Sequence, residues 1–447
     1  MPGRSRCGGG VLRRPRLPAT GASVRFPGSR NPKHYFPVTG KRSRAPVVET
    51  EAPRHWYLVG LDQLIVDVEV RGAGQLAAEF GLLAGESILL DAQAHLRLLE
   101  RLRAEGVEHR MSPGGSVGNT VNNFTFLSGE PAVMLGTIDA CIRPGSPAFH
   151  YVAATPIAVD LSRLVPIDGT VATALTFIAP DGDRSFAVAP GIANSYPPAA
   201  LPEQVVSGAA AVLTTLYCLR DPDWPIARAA RRMLELAAAA GVPVALGMGT
   251  ASLVRQQRAL ARELLQRYVT VAAMNADEAA ALTGEQDALL ACQRVLDWVD
   301  MVIITEGPRG LTMAGYVDAA YRRQTDQPVR SKSIPEYNRW EYSRLMRRSD
   351  CAEPHRIYSH IHPYRGGPDR LMNTNGAGDA ALAAVLHDIV ANQYHRATVP
   401  GSDKHVTGVP FLSYSSLSRL AQYGNRVAYE ILKACSPRLV APVGPDR

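Results

Sequence analysis

The stretch MNTNGAGDAALAAVLHDIV, Met372–Val390, joins a glycine-rich turn to a strongly apolar run. Residues 380–389 are rich in Ala and Leu with a period of about 3.6, which predicts a buried amphipathic helix. Glycines before a helix expose its first backbone N–H groups, which together with the helix dipole form an anion site. Asp379 lies in this turn, where a carboxylate is either an ordinary helix cap or a base beside a bound phosphate.

Length and composition indicate an ordinary globular chain. The chain has 447 residues, of which 46% are hydrophobic and 20% charged. No apolar run reaches the roughly 18 residues that a membrane span needs, so we expect none. The cysteines are far apart and form no C-x-x-C pair, which suits a reducing, cytoplasmic compartment and argues against a zinc ribbon. They are Cys7, Cys141, Cys218, Cys292, Cys351 and Cys435.

The net charge of +7 is concentrated at the N-terminus. Residues 1–48 hold eleven Lys or Arg and no acidic residue, which leaves 37 basic and 41 acidic residues for the rest. We therefore expect a basic, mostly disordered arm over 1–48, a domain over 49–440 and a short tail over 441–447. A basic arm on an acidic body does not predict a nucleic-acid-binding face.

Alternating strand and helix patterns fill most of the chain. Short apolar runs such as VPVALGMG, VTVAAMN and MVIITEG are separated by helical stretches such as PIARAARRMLELAAAAG. This alternation predicts an α/β fold with a mostly parallel sheet, whose strand ends gather ligands. Two alternating runs joined by Pro-Asp-Gly-Asp do not fit it, and we interpret residues 170–190 as a separate β lid.

A long polar and aromatic segment, Tyr316–Asp369, is too long for a plain connection. We expect it to cover one side of the ligand cleft at the strand ends or to contact a second subunit; the alternative is a solvated surface segment without a role. His355, His360 and His362 fall close together in it, which raises the possibility of a metal site. Without a supporting carboxylate or cysteine pattern, a hydrogen-bonded surface segment is the better interpretation.

Three further motifs fall at predicted strand ends. Gly114–Asn119 precedes a helix, and its asparagine offers a donor and an acceptor to a polyol. Asn275 and Glu278 lie three apart at a helix start, where they form either a helix cap or a Mg²⁺ site held largely through waters. Thr305–Gly310 follows the T-x-G-x-x-G pattern and suits a nucleotide, although this pattern alone is weakly specific.

In this order, the motifs resemble those of the ribokinase-like carbohydrate and nucleoside kinases, and more narrowly those of their inosine-guanosine kinase branch. The resemblance rests on KHYFPV, VGLDQLIVDVE, GGSVGNT, MNADEAAALTGE, YSHIHPY, MNTNGAGDAALAA and a PRL near the end. It covers about residues 25–440. It implies a three-layer α/β sandwich with a mostly parallel central sheet and a small β lid, and ATP-dependent phosphorylation of the 5′-hydroxyl of inosine and guanosine.

The resemblance also implies roles for individual residues. Asp379 is the catalytic base, beside an anion hole formed by the backbone of Asn375, Gly376, Ala377 and Gly378. Asp67 accepts hydrogen bonds from the ribose hydroxyls, and Arg184 belongs to the lid. Nucleoside-binding residues are expected at Asp62, Gln63, Leu64, Ile65, Val66, Asp67, Gly115, Ser116, Val117, Gly118, Asn119 and Arg220. ATP is expected along Thr305, Gly307 and Gly310, and Mg²⁺ at Asn275 and Glu278.

One position departs from the wider family. The usual Asp before the Thr of the glycine-rich motif is Asn373 here, which puts in doubt how a monovalent cation such as K⁺ acts near the anion hole. Expected partners are the small-molecule substrates, with a homodimer left open, and neither nucleic acid nor a membrane is expected. The open alternatives are a sugar or adenosine kinase of the same family and a nucleotide-binding regulator without catalysis.

Overall fold

A computed structural model describes residues 56–71, 73–82, 87–107, 109–178, 184–324 and 339–440. The predicted arm and tail lie outside these residues. The turn of the predicted lid hairpin, the side chain of Arg184 and residues 325–338 of the long segment also lie outside them.

Eleven described strands form one large sheet. Their order is β18-β16-β15-β14-β13-β12-β11-β1-β5-β7, with β17 also paired to β15. The strands from β7 to β14 are parallel, and those beyond β14 are antiparallel. The bounds are β1 Leu58–Leu61, β5 Ala132–Leu135, β7 Val159–Asp160, β11 Ala211–Thr215, β12 Val244–Gly247, β13 Val271–Asn275, β14 Met301–Thr305, β15 Leu311–Asp318, β16 Arg344–Met346, β17 Pro354–Ile361 and β18 Phe411–Ser416.

Helices cover this sheet, and its buried strands contribute to two large apolar clusters. Strands covered on both faces read as continuous apolar runs, as the short runs in the sequence do. The predicted α/β sandwich is confirmed. The α-helices are α1 Gly74–Glu79, α2 Ala92–Ala104, α3 Ser116–Ser128, α4 Pro147–Ala153, α5 Glu203–Ser207, α6 Pro225–Ala239, α7 Ala251–Gln256, α8 Arg258–Tyr268, α9 Ala276–Thr283, α10 Ala288–Val295, α11 Ala377–Thr398 and α12 Leu417–Leu432.

A second sheet of five strands lies beside the N-terminal part of the fold, in the order β3-β10-β9-β2-β4. The hairpin predicted as a lid forms its β9–β10 pair, and its role as a lid stays a prediction. The bounds are β2 Ile65–Arg71, β3 Ser87–Leu89, β4 His109–Pro113, β9 Ala172–Ile178 and β10 Arg184–Ala189, and a separate pair consists of β6 Thr137–Asp139 and β8 Val165–Ile167.

The stretch VGLDQLIVDVE contributes two strands, which belong to different sheets. Leu58–Leu61 lies in the large sheet, whereas Ile65–Arg71 belongs to the second sheet and pairs with β4 and β9. The chain leaves the large sheet at Asp62. Asp67 therefore lies on the second sheet, where it pairs with Ser112 of β4.

The long segment extends the large sheet. β17 pairs with β15 over eight residues. Leu311 lies opposite Ile361 at one end of this pairing, and Asp318 lies opposite Pro354 at the other end. This placement brings the residues after β17 back to the turn between β14 and β15. Among the described residues, no helix is both long and apolar enough to cross a membrane.

Gly310 closes the turn between β14 and β15 with a φ of 107°, a conformation that favours glycine. A Cβ at this position would lie 2.0 Å from the carbonyl oxygen of Ile361, because β17 passes against the turn. Gly307 also has a positive φ, of 55°, but a Cβ there meets no atom within 4 Å.

We expect Gly310→Ala to lower the free energy of unfolding by more than about 2 kcal/mol, because backbone strain adds to a backbone collision. The matched change Gly307→Ala carries the strain alone and should cost about 1 kcal/mol. Urea unfolding of both variants without ligands measures the difference. Equal losses of unfolding free energy in the two variants would show that β17 can shift away from the added methyl group without an energetic cost.

Candidate active site

A cavity of about 760 Å³ opens where the parallel strands end against the start of α11. The last residues of four strands contribute to its wall: Thr215 of β11, Gly247 of β12, Asn275 of β13 and Thr305 of β14. Site residues expected from the sequence that line this one cavity are Ser116, Val117, Asn275, Glu278, Thr305, Gly307, Gly310, Ala377, Gly378 and Asp379.

The N-terminus of α11 faces this cavity. Gly376, with a φ of 82°, precedes the first helical residue, and among the described residues no side chain caps the helix there. The first N–H groups of the 22-residue helix, together with its dipole, therefore form an anion site. The N–H of Asn375 does not belong to this group, because it donates to the side-chain oxygen of Asn373 at 2.9 Å. The expected contribution of Asn375 to the anion hole stays a prediction.

Asp379 lies in the first turn of α11 and lines the cavity. Its Oδ2 accepts a hydrogen bond from Asn119 Nδ2 at 3.0 Å, and its backbone carbonyl accepts one from Thr120 Oγ1 at 3.3 Å. Burial raises the pKa of Asp379 to about 7, although hydrogen bonds from Asn119 and Ser116 lower it. A carboxylate with this pKa can accept a proton at neutral pH, which a simple helix cap does not require.

Asn119 has a different environment from the one expected. Its carbonyl oxygen accepts from Arg438 Nε at 3.1 Å, while its amide donates to Asp379. Its oxygen is thus engaged by a protein side chain, and the expected contact of Asn119 with a polyol stays a prediction. Arg438 is a residue that the sequence interpretation missed. Its only signal was the PRL near the end, which carried no role.

Asp62 stabilises the start of α3. Its Oδ2 accepts from the backbone N–H of Val117 at 3.1 Å, and Thr215 Oγ1 lies 3.3 Å from its Oδ1. Only 4% of Asp62 is exposed, and burial raises its pKa to about 6. Gly115 precedes α3 with a φ of 82°, and a Cβ there would lie 3.4 Å from the Asp62 carboxylate. The Asp62 carboxylate therefore packs against the GGSVGN turn and holds the first turn of α3.

Asp67 lies against the same turn from the second sheet. A Cβ added at Gly114 would meet its carboxylate at 2.6 to 2.7 Å, so only glycine allows this close approach. Burial raises the pKa of Asp67 to about 6, and the charge of Arg438 opposes that shift. The carboxylates of Asp62, Asp67 and Asp379 thus converge on one turn.

Other residues of the expected nucleoside set lie elsewhere. Leu64 and Val66 are buried in the apolar core, so their side chains do not reach the cavity. Gln63 donates to Asn194, and Ile65 packs beside Gly115. A Cβ at Gly118 would lie 2.9 Å from Arg438 Nη2.

Arg220 is exposed, and it lies on the ring of Tyr217 at 5.7 Å. It is not among the residues that line the cavity. It directly follows the 3-10 turn Leu216–Leu219 after β11, and its place at the nucleoside cleft stays a prediction.

Asn275 and Glu278 form a capping box at the start of α9. Asn275 Oδ1 accepts from the Glu278 N–H at 2.9 Å, and Glu278 Oε2 accepts from the Asn275 N–H at 3.0 Å. Both also line the cavity, and burial raises the pKa of Glu278 to about 7. The described residues contain no group of three His, Cys, Asp or Glu that would hold a metal. Mg²⁺ prefers oxygen ligands and retains its hydration, so its expected position at this pair stays a prediction.

The opposite end of the cavity is formed by the long segment and α12. Tyr364 lies edge-on to Tyr429 at 5.1 Å, and Arg426 lies 5.1 Å from the Tyr364 ring. The wall there is apolar and aromatic, which suits a flat base. Its lining residues are Pro363, Tyr364, Gly366, Gly367, Pro368, Leu371, Asn425, Ala428, Tyr429 and Leu432.

The three histidines of the long segment form no metal group among the described residues. His360 Nε2 pairs with the Arg309 carbonyl at 3.0 Å, and His355 Nε2 lies 3.1 Å from a Glu353 oxygen. The interpretation as a hydrogen-bonded surface segment fits these contacts. The five described cysteines are free.

The sequence is similar to known kinases. Residues 156–329 match the pfkB family carbohydrate kinases. The chain is 42% identical over 422 residues to the guanosine-inosine kinase of Escherichia coli strain K12, covering 93% of this chain and 96% of the relative. The same identity and coverage hold for the guanosine-inosine kinase of Escherichia coli O157:H7.

Solved structures share the fold at low sequence identity. A probable sugar kinase from Rhizobium etli CFN 42 has a TM-score of 0.61 and 18% identity, covering 87% of this chain and 96% of its own. An adenosine kinase from Sinorhizobium meliloti has a TM-score of 0.60 and 20% identity, covering 86% and 96%. At these identities the likeness concerns the fold alone.

Proposed function

The chain belongs to the pfkB family of carbohydrate kinases, with the guanosine-inosine kinases as relatives, and we propose that it phosphorylates guanosine and inosine with ATP. The acceptor is the 5′-hydroxyl of the nucleoside, and the products are GMP and IMP. The extensive identity to guanosine-inosine kinases favours this substrate class over free sugars and adenosine.

One observation in the structure carries the catalytic part of the proposal. A carboxylate with a pKa of about 7, Asp379, lies in the first turn of a helix whose N-terminus is open to the cavity. A proton acceptor and an anion site are thereby adjacent. Phosphoryl transfer to a hydroxyl requires both at once, and a protein that only binds a nucleotide does not require the base.

The reaction then follows from ordinary phosphoryl transfer. Asp379 takes the proton of the 5′-hydroxyl as its oxygen forms a bond to the γ-phosphorus, and the bond from that phosphorus to the bridging oxygen of ADP breaks. The N–H groups of Ala377 and Gly378 donate hydrogen bonds that stabilise the negative charge on the transferred phosphoryl group. The second sheet, with Asp67, closes the nucleoside side and limits hydrolysis by water.

Mg²⁺ would be held by Asn275 and Glu278 through waters, and it would supply charge neutralisation to the ATP phosphates. The adenine of ATP fits the apolar wall beside Tyr364 and Tyr429. A monovalent cation, a homodimer and a cytoplasmic location remain predictions from the sequence.

A substrate panel tests the proposed function. With ATP and Mg²⁺, we expect guanosine and inosine to be phosphorylated with a far higher kcat/KM than adenosine or ribose. The products are identified as 5′-monophosphates by chromatography. A preference for adenosine or for ribose would replace this assignment with another activity of the same family.

Replacing the base tests the role of Asp379. Asp379→Asn keeps the shape of the side chain and removes proton acceptance, so turnover should fall by roughly 10²–10⁴-fold. Calorimetric binding of guanosine should be retained, because the anion site and Asp67 are untouched. A variant that keeps more than a tenth of normal turnover would exclude Asp379 as the base.

Removing Asp67 tests the ribose contact. Loss of a charged acceptor worth about 1.5–3 kcal/mol should raise the guanosine KM roughly 10- to 100-fold in Asp67→Ala, with a smaller effect on the ATP KM. Glu69→Ala is the matched control, since Glu69 lies two residues along the same strand and pairs with the exposed Arg71. Equal effects of the two variants would remove Asp67 from the nucleoside site.

A further inference from the structure

The residues after α12 return across the start of α3 and form a short C-terminal clasp, residues 436–439. Asn123 Oδ1 accepts from the Leu439 N–H at 2.7 Å, and Asn123 Nδ2 donates to the Pro437 carbonyl at 3.3 Å. Asn122 Nδ2 donates to the Leu439 carbonyl at 3.4 Å. Two consecutive asparagines of one buried helix thus hold the backbone on both sides of Arg438.

The clasp also packs against the glycine before α11. A Cβ at Gly376 would lie 2.5 Å from Pro437 Cβ and 2.8 Å from its carbonyl oxygen. Pro437 therefore occupies the space that any larger residue at position 376 would need. The clasp contacts the starts of both α3 and α11, which are the two elements that carry Asn119 and Asp379.

Arg438 is buried, with 3% exposed, and each of its guanidinium nitrogens has a partner. Nε donates to Asn119 Oδ1 at 3.1 Å, Nη1 to Thr155 Oγ1 at 3.2 Å and Nη2 to the Gly114 carbonyl at 3.3 Å. The guanidinium also lies 5.0 Å from the Tyr151 ring centre. This fan of donors suits arginine and not lysine, whose ammonium is a single point of charge.

The chemistry of these contacts fixes the orientation of one amide. A guanidinium can only donate hydrogen bonds, so Asn119 must turn its carbonyl oxygen toward Arg438. The amide NH₂ of Asn119 then necessarily faces Asp379. Without Arg438, the Asn119 side chain is free to turn over and present its oxygen to the carboxylate.

Resting on the proposed function, we propose that Arg438 is a positioning residue for catalysis, which holds the Asn119 amide so that it donates to the catalytic carboxylate of Asp379. It acts through Asn119 and does not touch the substrate. The clasp thereby couples the docking of the C-terminal segment to the competence of the base.

The electrostatics around Asp379 give this donor its importance. Asp62 after β1 and Asp67 on β2 both raise its pKa, and the charge of Asp379 in turn raises the pKa of Glu278 on α9. Opposing them are the hydrogen bonds of Asn119 and Ser116 from α3, while Arg438 supplies positive charge beside Asp67. Loss of the Asn119 donor should favour the protonated base, so that activity begins at a higher pH.

The first experiment replaces Arg438 by methionine, which retains length and apolar packing but removes every donor. We expect turnover to fall by roughly 10²-fold, as for a displaced catalytic group, with the ATP KM nearly unchanged. The acidic limb of the kcat–pH profile should move to higher pH. Arg232→Ala, which removes an exposed ion pair with Glu203, is the control and should change neither quantity.

A double-mutant cycle separates this role from a general structural one. In an Asn119→Ala background, Arg438→Met should cause little further loss of turnover, because the relay, the contact from Arg438 through Asn119 to Asp379, is already lost. Full additivity of the two losses would overturn the proposal. A variant Arg438→Met that keeps its kcat and raises only the guanosine KM would also overturn it, because Arg438 would then contact the nucleoside.

Two further measurements keep the test independent of folding. Guanidinium chloride, well below unfolding concentrations, should restore turnover to Arg438→Ala, whereas sodium chloride at equal ionic strength should not. In Asn119→Asp, one carboxylate oxygen still accepts from Arg438, so the clasp is kept. The other oxygen replaces the amide NH₂ and faces Asp379 as an acceptor. We expect it to retain its melting temperature and lose turnover. Normal turnover in Asn119→Asp would refute the relay even if no Arg438 variant folds.

If guanosine and inosine prove not to be substrates, the substrate panel fails first. The Arg438 variants are then examined with whichever acceptor the panel identifies, because the relay concerns the base and not the purine. Failure of the proposed function and failure of this inference are thus distinguished.

Discussion

The site depends on a meeting of two helix N-termini around buried carboxylates. α3 begins at the GGSVGN turn with Asp62 accepting the N–H of Val117, and α11 begins after Gly376 with Asp379 in its first turn. Helix N-termini favour negative charge, so they lower the cost of burying carboxylates. Burial nevertheless raises the pKa values of Asp62, Asp67 and Asp379, which leaves a base that can exchange protons near neutral pH.

Glycine is required where other backbone or side chains approach the turns of the site. At Gly114 the Asp67 carboxylate occupies the space of a Cβ, and at Gly376 Pro437 does so. At Gly310 the carbonyl of Ile361 lies where a side chain would begin. The glycines of these motifs therefore allow close contacts with the second sheet, the C-terminal clasp and the long segment, and they also leave space for phosphates.

The long segment illustrates what an aromatic and polar composition leaves open. Part of it forms β17, which is hydrogen-bonded to β15, and the residues that follow provide the wall beside Tyr429. The expectation that it covers one side of the cleft agrees with this placement. Contact with a second subunit stays a prediction.

The sequence by itself determined the α/β class, the strand ends and the chemistry of the 375–379 turn, because these features depend on local periodicity and on glycines next to helix starts. The tertiary structure decided the rest. It placed Asp67 on a second sheet and paired the N–H of Asn375 with the side chain of Asn373. It also left Arg220 exposed and brought Arg438 next to Asn119, 319 residues away. The contacts of Asp67 and Arg438 join residues far apart in the chain, so no local pattern encodes them; packing of the second sheet and the clasp creates them.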